Sequence, residues 1–378
     1  MSLKLLHTAD LHMDSPFEAL SSGKAAARRA ELRELPGKIA RLAVEEKVDI
    51  ILLCGDILDS EYFYRETGEE LFRALRNLSA AVFIAPGNHD YYSEKSPYAG
   101  VKLPRNVYVF KEPHIEYFDF SEYGFRVFGA AFTDKSSKPL LEGFKVDKLD
   151  GVVDIMCLHG DLVSGSARAG VSKYNPVTPE QIALSGVDYL ALGHIHKASG
   201  LKRAGRTWYS YPGCPEGRGF DETGEKTVNI VELQSTGDTV ECSIKAVDLS
   251  ERRYETLKVD VSDKDPLLAV QMLLPDDTIR DIYKIELTGE TDTPVETGRL
   301  LNNLSQYFYE LVITDSTRLR HDIWEATGDD TLRGLFLSKM RALYDAAGSD
   351  DARHKAEQAV RWGLAALENR EEVVIHED

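Results

Sequence analysis

The sequence predicts an α/β fold with layered sheets, and two observations predict it. Short β-branched or apolar runs recur along the first two thirds of the 378 residues, each ending in a break that carries Asp, His, Asn or Gly. Helix-like segments, such as Lys24 to Glu46 and Glu69 to Leu78, lie between them. Runs of that length bounded by Gly or Pro read as buried strands, and their alternation with helices argues for an α/β layered sheet. An apolar content of 43% beside 29% charged residues supplies the core that such a fold needs.

Leu3 to His7 is the first strand and leads to Asp10 and His12. Val48 to Leu53 leads to Gly55 and Asp56, and Ala81 to Ala85 leads to Pro86, Gly87, Asn88, His89 and Asp90. Val152 to Leu158 runs into His159, Gly160 and Asp161, and Val187 to Leu192 into Gly193, His194, Ile195 and His196. A sixth strand-to-turn candidate follows Trp208 through Tyr211, Pro212 and Gly213; Gly219 to Lys226 is a turn before another strand, Val228 to Leu233. Every polar cluster then falls just past the carboxyl end of a strand, where open α/β sheets build their sites.

At about 100 to 200 residues per domain, the length calls for two or three packing units. Residues 1–248 make the first. In 249–320, after the strand-like Thr239 to Val247, the stretches Tyr254 to Val261, Asp281 to Leu287 and Tyr307 to Thr314 read as strands, while Asp265 to Leu274 and Val295 to Ser305 read as helices. That is a small α+β domain. It contains no His and no Cys, so it is expected to shape or cover a site rather than supply ligands. From 321 to 378, Leu332, Leu335, Phe336, Met340, Leu343, Tyr344 and Ala347 give one helical apolar face, and Ala356, Val360, Gly363, Leu364 and Leu367 a weaker second one. Gly348 to Asp351 separates the two as a turn. A hairpin packed on its own domain and a docking surface for a partner helix are readings of equal weight.

Charge argues against a simple electrostatic nucleic-acid binder. The chain has 63 acids against 45 bases, a formal charge of −18, whereas phosphate neutralisation by Lys and Arg supplies most non-specific affinity. The tail alone has 7 Lys or Arg against 13 Asp or Glu. The amino terminus lacks the pattern of a secretory signal, and no apolar stretch approaches the roughly 20 residues needed to cross a bilayer. Cys54, Cys157, Cys214 and Cys242 lie far apart with no C-x-x-C spacing, which argues against a zinc knuckle or disulfide framework. A cytoplasmic, non-membrane protein is the expectation.

Singly, an Asp after a strand is usually a cap and a His a satisfied loop residue. Five clusters in the order D-x-H, G-D, G-N-H-D, H-G-D and G-H-x-H are more specific, because every group is a hard or borderline metal ligand. Oxygen and imidazole donors suit Mn, Fe, Zn or Mg. Two such ions about 3.5 to 4 Å apart can clamp attacking and leaving oxygens at phosphorus, so the constellation predicts metal-assisted phosphoester hydrolysis.

These five motifs resemble, in order and spacing, those of the calcineurin-like metallophosphoesterase superfamily over roughly residues 1 to 235. The resemblance implies a four-layer β-sandwich flanked by helices. Within the superfamily the chain is similar to the Mre11/SbcD group of DNA-repair nucleases, most closely its bacterial YhaO-like branch, through Thr8 to His12 (T-A-D-L-H), Tyr211 to Gly213 (Y-P-G) and the run Gly217 to Lys226. Thr227 stands where that pattern has Gly. The resemblance implies a first metal held by Asp10, His12, Asp56 and His196, and a second by Asp56, Asn88, His159 and His194. It implies two divalent ions, manganese first, with Fe, Zn or Mg as alternatives. His89 would face the substrate phosphate as a catalytic group, oriented by Asp59 or, alternatively, by Asp90. The implied partners are DNA and a Rad50/SbcC-like ATPase docked on the C-terminal helices, and the layout admits a homodimer.

Other residues are read more plainly. His7 is expected to pack, and His114, His321, His354 and His376 to be surface or structural. Asp161 could orient His159 or simply make a turn. Arg28, Arg29 and Arg33 are expected on a solvated helix face. Two competing functions remain: a hydrolase of small phosphodiesters, nucleotides or phosphoproteins, and a non-catalytic scaffold. Against protein phosphatases, Gly55 to Glu61 lacks the Arg-Gly that follows the second Asp there; against a scaffold, no ligand of the set is missing.

Overall fold

Alternating residues of one strand already show the layering. In the computed structural model, which describes residues 1–59, 64–163, 172–237, 239–292 and 294–367, strand β1 (Ser2–Thr8) turns Leu6 toward one core and Leu3 and Leu5 toward another. Side chains on a strand point alternately to its two faces, so a strand apolar on both faces must lie between two layers.

After β1 come β2 (Ile50–Leu53), β3 (Ala81–Ile84), β4 (Val107–Val109), β5 (Glu116–Phe120), β6 (Phe125–Gly129), β7 (Val153–His159), β8 (Tyr189–Gly193), β9 (Lys202–Ala204), β10 (Thr207–Ser210), β11 (Thr227–Thr236) and β12 (Thr239–Asp248). They build two six-stranded sheets, in the orders β12-β11-β1-β2-β3-β4 and β5-β6-β7-β8-β10-β9. Strands β1 to β4 are parallel, as are β6, β7, β8 and β10; β11, β12, β5 and β9 add antiparallel edges.

The inner core joins Leu5, Leu52 and Phe83 of the first sheet to Val127, Ile155 and Tyr189 of the second. Helices α1 (Ser22–Glu45) and α2 (Arg65–Leu75) cover the outer face of the first sheet through Leu32, Leu35, Ile39, Leu71 and Phe72. On the second sheet's outer face, α3 (Pro179–Ser185) packs Ile182 against Met156 and Leu190. The arrangement is the four-layered sandwich flanked by helices that the resemblance implies. Strands β4, β5, β6 and β9 were not legible in the sequence: they are three to five residues long, and β6 carries Arg126, buried where it pairs with Asp154 and donates to the Asp147 carbonyl.

The chain divides into two compact units, Met1–Arg253 and Tyr254–Asp378. The second has a parallel sheet of β13 (Tyr254–Asp260), β14 (Ile282–Thr288) and a third strand, β16 (Glu310–Asp315), with β15 (Glu290–Thr291) pairing β17 (Arg318–Leu319). Helices α4 (Pro266–Gln271) and α5 (Thr297–Leu304) pack on it. Beyond lie α6 (Leu332–Asp345) and α7 (Asp350–Leu367), whose shared core holds Leu337, Val360 and Leu364.

The apolar face expected of α6 is corrected here. Leu332, Leu335 and Leu343 are exposed, and the fully buried position is Leu337. Phe336 and Met340 do pack inward, and Gly363 of α7 lets the Phe336 ring approach so closely that any Cβ there would fall onto it. Buried Arg361 ties α7 to the β15–β17 ribbon, its Nη2 donating to Thr291 Oγ1 at 2.7 Å and Thr317 Oγ1 at 2.6 Å. Among the described residues no helix is long and apolar enough to cross a membrane.

Candidate metal centre

The loops beyond β1, β2, β3, β7 and β8 converge. Ligand atoms of Asp10, His12 and His196 lie within 4.8 Å of one another, as do those of Asp56, His159 and His194, and those of His12, Asp56 and His89. Asn88 Oδ1 stands 3.1 Å from His159 Nε2. His12 Nε2 faces His196 Nε2 at 3.3 Å, and His159 Nε2 faces His194 Nδ1 at 3.3 Å. All seven sequence-predicted ligands thus meet in one cluster.

The backbone is bent to present them. Asp10, His12, Asp56 and His194 have φ of 55°, 43°, 52° and 103°, values that non-glycine residues hold only where surrounding structure enforces them, often at functional sites. Here the enforcement is a lattice of loop hydrogen bonds. Asp10 N–H donates to Gly55 O and His12 N–H to Asp56 O, each at 3.0 Å. His194 N–H donates to the Asp10 carboxylate, and His89 N–H to Asp56 Oδ1 at 2.8 Å.

The donor set fits divalent cations. His159 spends its Nδ1–H on Cys54 O at 2.9 Å, and His196 spends its Nδ1–H on Glu222 Oε1 at 2.6 Å, so each ring turns its Nε2 to the cluster, where a bound cation would take the lone pair. His12 Nδ1 is buried without a hydrogen-bond partner. Ring nitrogens facing each other at 3.3 Å beside two buried carboxylates would turn lone pairs onto cations placed between them, and all-oxygen-and-imidazole donors suit hard or borderline metals.

Electrostatics differ sharply among these neighbours. Burial, with Asp56 adding to it, pushes Asp10 up to about 6. Burial would raise Asp56 too, but the His159, His12 and His89 rings hold it far below the usual carboxylate range. Burial depresses His12, and burial together with His159 brings His194 down to about 4. For His159, Asp56 overrides burial and lifts it to about 9. His89, 45% exposed, is raised by its contact with Asp59, whose Oδ1 lies 3.6 Å from His89 Nδ1.

Two expectations need correction, and a third residue had two open readings. Asp90, offered as an alternative partner of His89, is instead committed to backbone: it accepts from the N–H groups of Asp56, Ile57, Leu58 and Gly87 and from the Tyr98 hydroxyl. It fastens the G-D loop to the G-N-H-D loop and leaves Asp59 facing His89. Of the two readings of Asp161, the structure fits the turn: it makes backbone bonds to Tyr174 and Val177, while the Cys54 carbonyl meets His159 Nδ1. Nor do Arg28, Arg29 and Arg33 form a solvated face: the first is buried, and the other two are half-buried and bonded to protein groups. Arg28 is fully buried between Glu31 and Glu216, Arg29 donates to Pro16 O, and Arg33 pairs with the buried Asp14 carboxylate at 2.6 Å.

His7 packs as expected, between the sheets, bonded to Tyr189 Oη at 2.9 Å and Leu192 O at 3.1 Å. His114 and His354 are exposed, whereas His376 and the side chain of His321 lie outside the described residues. All four cysteines are free. Glu222 and Arg218, which contact the cluster, were not singled out as site residues, although both lie in the G-R-G-F-D-E run that carries the resemblance.

Oxygen and imidazole ligands gathered at strand ends of a two-sheet sandwich define a metal-dependent phosphoesterase. The chain belongs to the calcineurin-like phosphoesterase family, whose model matches residues 3–198. It is 31% identical over 288 residues to the uncharacterized metallophosphoesterase YhaO of Bacillus subtilis (strain 168), covering 72% of this chain and 67% of that protein. It is 23% identical over 268 residues to the D component of the nuclease SbcCD of the same organism, covering 61% of this chain and 66% of that protein.

Proposed function

We propose that this chain is a two-metal phosphodiesterase acting on DNA, the nuclease component of an assembly with an SbcC-like ATPase in the cytoplasm. One observation carries the chemistry: Asp10, His12, Asp56 and His196 gather beside Asn88, His159 and His194, with half-exposed His89 against His12, ring centroids 4.8 Å apart. In this reading the first four residues hold one ion, and Asp56, Asn88, His159 and His194 hold the other, with Asp56 as the bridge. Two divalent ions, manganese by expectation, would activate water and neutralise charge at phosphorus.

The protein's own groups do the rest. The loop hydrogen bonds preset the ligands, so no reorganisation is needed when substrate arrives. His89 reaches the substrate side and donates a proton to the leaving oxygen, with the Asp59 carboxylate fixing its other nitrogen. Similarity to a protein named as part of a nuclease supports DNA as the substrate. The net charge of −18 favours a second reading, turnover of small phosphodiesters. In the first reading the same charge makes DNA binding weak without the ATPase.

The deciding measurement is turnover by the manganese-loaded chain, alone and with the ATPase, on single- and double-stranded DNA beside cyclic dinucleotides and nucleotides. Cleavage of DNA is expected. Turnover restricted to the small substrates overturns the nuclease assignment and leaves the phosphodiesterase.

A further inference from the structure

Behind His196 stand two residues that the proposed ligand set does not use. His196 Nδ1–H donates to Glu222 Oε1 at 2.6 Å. Arg218 holds the same carboxylate twice, its guanidinium Nη2 donating to Oε1 and its backbone N–H to Oε2, both at 2.8 Å. Glu222 is only 7% exposed, so these three bonds replace water around a buried charge.

The direction of the ring is the consequence. With Nδ1 turned to Glu222, His196 Nε2 points to the cluster, 3.3 Å from His12 Nε2 and 3.7 Å from Asp10 Oδ1. A neutral imidazole has a lone pair on one nitrogen only, and the hydrogen bond made by the other decides which. Cys214 lies close enough to make a third cation site conceivable with His196 and Glu222. A carboxylate can only accept, however, so the short His196–Glu222 contact assigns the proton to Nδ1, while Arg218 answers the carboxylate's charge, its Nη2 lying also 3.2 Å from Nδ1, and Cys214 Sγ is turned to Glu222 Oε2 at 3.8 Å.

We propose that Glu222 is the positioning residue of the Asp10–His12–His196 metal position, fixing the His196 tautomer and ring direction, and that Arg218 holds Glu222 in place. The proposal rests on the reading of His196 as a metal ligand. The second position is different in kind, since His159 is oriented by a backbone carbonyl that no substitution removes. Glu222 therefore acts on one of the two ions.

The test titrates Mn²⁺ into metal-free Glu222→Gln, Glu222→Asp and His196→Ala proteins by calorimetry, with metal content measured after dialysis and folding checked by circular dichroism. Loss of one of two bound ions in His196→Ala establishes the ligand reading itself, and two tight ions in that variant overturn it. Glu222→Gln is expected to weaken one site by about 10- to 100-fold and leave the other unchanged, as loss of such outer partners does. Glu222→Asp should fall between Gln and wild type, and it carries the same test if the Gln variant does not fold. Wild-type affinity at both sites in a folded Glu222 variant, or equal weakening of both, overturns the positioning role while the ligand reading stands on His196→Ala.

Discussion

His159 Nδ1 lies 2.9 Å from the carbonyl oxygen of Cys54, a residue 105 positions earlier in the chain, and this bond turns the ring's other nitrogen onto Asp56 and Asn88. It also makes the glycine after Cys54 indispensable, because that backbone must pass directly under the ring.

Gly55→Ala should therefore damage both fold and site. Gly55 has φ of 83°, and a Cβ there would fall onto the His159 ring. The left-handed conformation alone costs about 1–3 kcal/mol in a residue other than glycine. A lowered unfolding temperature together with reduced metal content is expected, from thermal unfolding and elemental analysis of one preparation.

Asp90 supports the site from beneath. Asp90→Ala strips the acceptor from four backbone N–H groups and Tyr98, and should cost about 3–5 kcal/mol. Tyr98→Phe removes a single bond to a charged acceptor and should cost about 1.5–3 kcal/mol. Urea unfolding of both variants measures the difference.

His7 gives stability a dependence on pH. Burial lowers its folded-state value to about 3 from 6.5, with the Leu192 carbonyl opposing only in part. The neutral ring's contribution is complete above pH 6.5. As pH falls from 6.5 toward 3 the unfolded chain takes up a proton that the folded one refuses, so stability declines by about 1.4 kcal/mol per pH unit. In metal-free protein, unfolding free energies at about pH 7.5 and about pH 5 should differ by about 2 kcal/mol less in His7→Gln than in wild type.

Under the proposed mechanism, His89 and His159 should fail differently. His89→Asn should lower kcat by about 100- to 10,000-fold while two metal ions remain bound. His159→Ala should lose metal at the position it shares with Asp56 and His194. Metal content measured beside turnover separates the two.

Much of this was legible in the sequence because it is local. An apolar run ending in D-x-H or G-N-H-D specifies its own strand and places its polar cluster past the strand's end, so β1, β2, β3, β7 and β8 and their clusters could be read directly, while the choice of seven ligands within them came from the family resemblance. The short strands β4, β5, β6 and β9 could not be read, since three to five residues, in β6 with a buried Arg126, carry little periodicity. Leu332, Leu335 and Leu343 share helical spacing with Phe336 and Met340, yet spacing does not say which side of a helix meets a neighbour.

What only the tertiary structure decided are the pairings of residues far apart in the chain. Arg28 is buried because Glu216, 188 residues away, comes to meet it. Asp90 holds backbone 33 residues upstream rather than the adjacent His89, and Glu222 reaches His196 across 26 residues. A carboxylate's role depends on which donors surround it, and those donors are brought together by the packing of two sheets. The sequence by itself determined which groups could hold metal; the fold decided which groups hold them in place.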